Sequence, residues 1–274
     1  VPQGRRHDAQ ECSAVNDLDI EVADGIATIT LDRPPVNAVT VATLLEIRDA
    51  FDSLNERRDV RAAIFTAAGD RAFIAGADLR SMDEGRSTDE APPSLVTDPG
   101  RVARDAMWAI TDCAVPVIAA VNGPALGAGL ALAACCDLIV AAETARFGTT
   151  EINVGLLGAS SHLLLLVGRH KAREMFFLGE QVSADELHRL GAVRAVVPRT
   201  ELSTVARELA TELAAKSPIA MRLAKESMNR VEYMSLKDGY RTEQEYTARL
   251  QGFEDAQEAR RAFLEQRDPD FKWR

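Results

Sequence analysis

The chain has 274 residues, 46% of them hydrophobic, and a formal net charge of −10 at pH 7. That length and apolar content suit one α/β core with an appendage, and the acidic balance excludes nonspecific attraction to nucleic acid or insertion at an anionic membrane. The four cysteines, Cys12, Cys113, Cys135 and Cys136, lack metal-ligand spacing and read as reduced thiols of a cytoplasmic protein, and no apolar run is long enough to span a bilayer.

Residues 1–17 are polar, carry no signal-like apolar core, and are expected to form a mobile leader. Leu18 to Ala23 and Ile26 to Leu31 alternate apolar and polar residues around Asp24-Gly25, which predicts a hairpin. Arg33 to Ala38, with Pro34-Pro35, breaks the sheet; Thr40 to Leu54 has helical periodicity, and Arg61 to Ala67 is a short strand. The order strand, loop, helix, strand points to a parallel sheet with crossover helices.

Gly69 to Leu79 is a loop with small residues at its end, running into a helical turn. Ala77 is placed to present a backbone N–H there and Asp78 to cap the turn, although an ordinary capped turn has the same pattern. Glu84 to Gly100 holds three prolines among Ser, Thr, Asp and Glu and reads as a linker or a lid. Arg101 to Cys113 returns to helical spacing.

Val115 to Val121 then leads into Asn122-Gly123-Pro124-Ala125-Leu126-Gly127-Ala128-Gly129 and the small apolar stretch Leu130 to Cys136, a strand, tight turn and buried helix. The first amides of such a helix have no intrahelical partner, so Ala128 is a candidate donor to an oxyanion. Two other readings fit the same residues: small side chains that merely seat a helix on a strand, or a dinucleotide turn, which Leu132 at the third glycine position disfavours.

Asp137 to Ala142 is a further strand, and Arg146 to Glu151 a short extended piece. Glu151 precedes the apolar helix Ala159 to Val167, an edge-of-core position where an acid needs a partner or a task. Beyond Lys171 the pattern is helical (171–178, 183–190, 201–216, 218–231, 236–250 and 253–266), with Ala192 to Val197 as the sole predicted strand. The division expected is a leader at 1–17, an α/β core at 18–200 and a helical region at 201–274.

Ala75-Gly76-Ala77-Asp78-Leu79, the turn 122–129, Cys136-Asp137, Phe147-Gly148-x-x-Glu151-x-x-x-Gly155 and the ending Ala262 to Lys272 together resemble the enoyl-CoA hydratase/isomerase, or crotonase, superfamily. The resemblance implies a spiral of ββα units with a C-terminal helical region forming homotrimers or hexamers. It also implies an acyl-CoA substrate whose thioester oxygen sits between the amides of Ala77 and Ala128, with Glu151 as catalytic acid or base. Coenzyme A enters as part of the substrate; no other cofactor and no metal is implied. Val36, Ala38, Ala75, Asp78 and Leu79 correspond to the pantetheine and adenine path. Arg33, Arg80 and Lys272 are candidate phosphate cations, the last across a subunit boundary.

The sequence departs from the hydratase pattern at two places. Hydratases of the family carry a second glutamate in the helix after the glycine turn, where this chain has Ala131. After Gly155 a proline, glycines and a Gln-Arg pair are replaced by Leu156-Leu157-Gly158-Ala159-Ser160-Ser161-His162, which looks like a family hydrolase that opens a ring in steroid breakdown. His162 is then a candidate acid or base, or a cap of its helix. Three functions follow: isomerisation or hydration of an enoyl-CoA by a single glutamate, hydrolytic opening of a cyclic β-keto acyl-CoA, and acyl-CoA binding or assembly without chemistry.

Overall fold

The computed structural model describes residues 16–84 and 93–274. Most of the expected leader and residues 85–92 of the expected lid therefore lie outside the described residues. Strands β1 (Leu18–Ala23) and β2 (Ile26–Leu31) form the predicted hairpin, with φ of 53° at Asp24 and 79° at Gly25, as a two-residue turn requires. Helix α1 (Val41–Leu54) starts at Thr40, whose hydroxyl accepts the N–H of Thr43 at 3.1 Å, satisfying one of the free first-turn amides.

The chain continues through β3 (Ala62–Ala67), α2 (Leu79–Glu84), α3 (Pro93–Thr97) and α4 (Arg101–Thr111). After α4 come β4 (Val117–Val121), β5 (Ala125–Leu126), α5 (Ala128–Ala134), β6 (Leu138–Ala142) and β7 (Arg146–Gly148). A 3-10 turn at Glu151–Val154 precedes α6 (Ser160–Leu166), α7 (Arg169–Leu178), β8 (Gln181–Ser183), α8 (Ala184–Arg189) and β9 (Ala195–Val197). Helices α9 (Leu202–Ala214), α10 (Pro218–Val231), α11 (Leu236–Gln251) and α12 (Glu254–Glu265) complete it. Two expectations are corrected. The segment read as a linker or a lid contains a short helix, α3, and β8 is a strand that three residues of Gln-Val-Ser are too short to announce by periodicity.

Six strands form one sheet in the order β1-β2-β3-β4-β6-β9, parallel except for the β1-β2 hairpin. Alternate residues feed two cores. Ala27, Ile29, Ala63, Phe65, Val117, Ala119 and Ile139 face α1 and α4, whereas Ile26, Ala62, Ile64, Ile118, Ala120 and Val140 face α9. Burial on both faces explains why β3 and β4 read as continuous apolar runs. Helix α9, which opens the region expected to be a helical appendage, is thus a layer against the sheet. It presents Leu202, Ala206, Ala210 and Ala214 at four-residue intervals.

A second, narrower ladder gives the fold its spiral. Strands β5, β7 and β8 pair, and single bridges extend the series through Ile74–Ala125 and Val39–Ala77. Successive passes of the chain therefore lay one strand on the main sheet and one short extended piece on the narrow ladder. Both loops with candidate donors belong to that ladder.

Helix α10 is tied to the core by Lys225, buried at 6% exposure, whose Nζ meets the Asp137 carboxylate at 2.7 Å and the carbonyls of Ile110 and Val115 at 3.2 Å. The C-terminal tail folds back on α12. The Asp255 carboxylate accepts the N–H groups of Lys272 and Trp273 at 2.7 and 2.9 Å, and Glu258 is held well below the usual carboxylate range by Arg267, the Asp270 N–H and Arg261.

Because α9 approaches the sheet through alanines, Ala206→Leu is expected to overpack that layer and lower stability by about 1–3 kcal/mol. Urea unfolding of the variant beside the native chain measures it.

Candidate active site

The exit of β3 is fixed by two buried asparagines. Asn37 Nδ2 donates to the carbonyls of Ala68 and Ala72, and Asn122 Nδ2 donates to those of Ala67 and Gly69. Carbonyls that have run out of ladder partners are satisfied in this way. The same amides anchor the loop that runs from Gly69 to Asp78. Further along, the N–H groups of Phe73 and Ile74 donate to Pro124, and that of Leu126 donates to Ile74. The turn after β4 is therefore laid directly on the loop after β3.

That contact leaves two N–H groups unused. At the Val39–Ala77 bridge, Val39 donates to Gly76 and Asp78 donates to Val39, both at 2.9 Å, so the N–H of Ala77 itself points to the other side. Asp78 caps α2 as expected, accepting the N–H of Arg80 at 3.1 Å and that of Ser81 at 3.4 Å. Ala128 is the first residue of α5, where an N–H has no intrahelical acceptor. Neither N–H has an acceptor among the described residues. The approach of the two loops requires glycine at 129: a Cβ there would lie 2.2 Å from the carbonyl oxygen of Ile74.

Glu151 occupies a slot made by two further glycines. A Cβ at Gly127 would stand 2.6 Å from Glu151 Oε1, and one at Gly158 would stand 2.8 Å from the same atom. The other oxygen, Oε2, is buried without a hydrogen-bond partner. No cation among the described residues neutralises the carboxylate, and burial raises its pKa against a smaller opposing effect of its own backbone N–H. A carboxyl group without a counterion, its pKa raised by burial, holds its proton more tightly than a free one and can serve as a proton carrier.

Ala77, Ala128 and Glu151 line one cavity of about 340 Å³ with Ala75, Leu79 and Ala131. Glu151 is its only ionisable residue among those described, and Ala131 supplies a methyl group to the wall. Such a cavity can hold an oxygen that gains negative charge between two N–H donors and move one proton beside it. The structure also brings in Met107 from α4 and Val154, Leu156, Leu157 and Gly158 from the segment after Glu151. Sequence reasoning singles out Leu156-Leu157-Gly158 only as a departure from the hydratase pattern and misses Met107, which on an amphipathic helix carries only a core signal.

The remaining candidates do not line this cavity. The Val36 carbonyl accepts the N–H of Ala75 at 3.1 Å, and the Ala38 carbonyl accepts Arg33 Nη1 at 2.7 Å. Arg33 is engaged by Asp78 at 3.0 Å and Asp17 at 3.5 Å, so its charge is already matched. His162 lies in the first turn of α6 as expected, half-buried, with Nδ1 unpartnered and burial lowering its pKa. Lys272 lies on the tail beside α12, its Nζ 2.7 Å from Asp270.

The raised pKa of Glu151 has a sign that stability measurements read. Below the unfolded carboxyl pKa both states are protonated and burial costs nothing; as pH rises toward the folded pKa, the unfolded state ionises first and native stability falls. Glu151→Gln, which cannot ionise, should match the native chain in Tm at pH 4 or below. It should exceed it at pH 7–8, in thermal denaturation across that range.

A family model described as Enoyl-CoA hydratase/isomerase matches residues 21–274. A (7aS)-7a-methyl-1,5-dioxo-2,3,5,6,7,7a-hexahydro-1H-indene-carboxyl-CoA hydrolase of Rhodococcus jostii is 39% identical over 246 residues, covering 90% of this chain and 93% of the relative. A short-chain-enoyl-CoA hydratase of Clostridium acetobutylicum is 32% identical over 257 residues, covering 92% and 96%. The crystal structure of an enoyl-CoA hydratase from Bacillus anthracis superimposes with a TM-score of 0.86 at 32% identity, covering 94% of this chain and 100% of that one. With its spiral of sheet and ladder, and a match that runs from β1 to the last residue, the chain belongs to the enoyl-CoA hydratase/isomerase, or crotonase, family.

Proposed function

We propose that this enzyme acts on an acyl-CoA thioester, with the thioester oxygen between the N–H groups of Ala77 and Ala128 and Glu151 as the single carboxylate acid/base. The observation that carries the reading is the solitary carboxylate in its glycine slot. Adding water to a double bond, as hydratases of this family do with two glutamates, relies on the second one to hold the water, and Ala131 supplies only a methyl group there.

One carboxylate suffices for hydrolytic opening of a cyclic β-keto acyl-CoA, the reaction favoured here. Glu151 takes a proton from water as the water oxygen bonds to the ring ketone carbon. The bond from that carbon to the carbon next to the thioester then breaks. Its electron pair passes into a thioester enolate, whose oxygen the two N–H groups stabilise, and Glu151 returns the proton to the carbon. A carboxylic acid is formed and the thioester survives. Likeness to the Rhodococcus hydrolase and the Gly158-Ala159-Ser160-Ser161-His162 segment support this choice. Double-bond isomerisation is the second reading, since it also needs one proton carrier beside one oxyanion site. His162, whose pKa burial lowers, is the candidate acid or base of the same segment.

Val36, Ala38, Ala75, Asp78 and Leu79 are the proposed path of the pantetheine and adenine, with Lys272 meeting a phosphate from an adjoining subunit. Homotrimers or hexamers fit the exposed apolar side chains Leu236, Phe263 and Leu264 of the C-terminal helices and Tyr233 of the turn before α11, and a cytoplasmic location is proposed with them. No helix among the described residues is long and apolar enough to cross a membrane.

Mass spectrometry of linear enoyl-, β-hydroxy- and cyclic β-keto-CoA panels incubated in D₂O tests the proposal. Water uptake with ring opening is expected, and Glu151→Gln should lower kcat by about 10²–10⁴. Deuterium gain without net water selects the isomerase; turnover that survives Glu151→Gln overturns both. Gly129→Ala, which forces α5 off Ile74, should cost about 10²–10³ in kcat through misplacement of one donor, while far-UV circular dichroism stays native.

A further inference from the structure

A second cavity, of about 290 Å³, lies on the opposite side of the main sheet, between α9 and strands β2, β3 and β4. We propose that it binds a phosphate group, carried by a small phosphate monoester or as free inorganic phosphate. Its walls hold two guanidinium groups, Arg199 and Arg207, and among the described residues no carboxylate. Arg199 Nη2 donates to the Gly69 carbonyl at 2.5 Å, and Arg207 Nη2 makes a long bond of 3.4 Å to Thr28 Oγ1. Neither has an acidic partner among the described residues, in a chain whose net charge is −10 and where Arg33, Arg57, Arg104 and Arg267 are all paired with carboxylates.

The remaining donors suit a tetrahedral anion. Most N–H groups of both guanidinium forks are uncommitted, and such forks match phosphate oxygens. Thr28 accepts from Arg207, which leaves its hydroxyl proton free to donate, and the Ser203 hydroxyl has no partner among the described residues. Ile64, Ala120 and Leu202 form an apolar wall. It leaves room for a short carbon skeleton beyond the phosphate itself.

The cavity touches the roots of both donor loops. Arg199 and Asn122 share the Gly69 carbonyl, where the loop to Ala77 begins, and Asn122 opens the turn to Ala128. An occupant that draws Arg199 toward itself competes with that carbonyl. The site is nonetheless separate from the Glu151 cavity, and its occupancy is measurable without any substrate.

Calorimetric titration at fixed ionic strength with inorganic phosphate and with glycerol 3-phosphate tests the assignment on the native chain, Arg199→Gln, Arg207→Gln, Ser203→Ala and Glu151→Gln. Saturable binding is expected in the native chain and equally in Glu151→Gln. It should weaken at least tenfold in each arginine variant and less in Ser203→Ala, with melting of the unliganded variants confirming a native fold. Tighter binding of glycerol 3-phosphate identifies a monoester as the occupant, and equal binding identifies free phosphate. Absence of saturable binding overturns the proposal, as does affinity that both arginine variants retain or that Glu151→Gln abolishes.

Discussion

The site depends on one close approach, the passage of Gly129 over the carbonyl of Ile74. Only a residue without a Cβ allows the start of α5 to lie there. Once it does, hydrogen bonds from Leu126 to Ile74 and from Phe73 and Ile74 to Pro124 set the register of the two loops. The free N–H groups of Ala77 and Ala128 open onto one cavity as a result. No side-chain chemistry is involved, so the placement of these two N–H groups is set by the backbone ladder alone.

Glu151 is positioned by absence in the same manner. Gly127 and Gly158 leave a gap that the carboxyl group fills, and nothing inside the gap neutralises it. Burial without a counterion is costly for stability, and it is also what raises the pKa of Glu151. It shares its cavity with Ala77 and Ala128 and is the only ionisable group there among the described residues. The Lys225–Asp137 pair is the contrast: more deeply buried at the lysine, and fully matched, it ties α10 to the core.

Much of this was legible in the sequence. Asp24-Gly25 announced the hairpin, the β-branched and alanine-rich runs announced strands buried on both faces, and Gly127-Ala128-Gly129 after a strand announced a helix start with a free amide. Glu151 was legible because an acid at the edge of an apolar stretch is anomalous. The contribution of Met107 was not, since its spacing on α4 is that of any core residue. Nor was Gly158, whose role exists only because the fold brings it against Glu151. Residues 181–183 are too short to show a period, and the membership of α9 in the sheet's second core follows from the alternation of strands far away in sequence.

The stretch from Gly155 to Ala159 is bounded by two left-handed residues, with φ of 74° and 56°. It faces Glu151 through Gly158 but takes no part in the ladder that carries Ala77 and Ala128. Such a hinged insert can be rewritten over evolutionary time while the donors stay in place. A lineage built on this spiral can therefore exchange one bond-breaking chemistry for another by editing a few residues of a single loop.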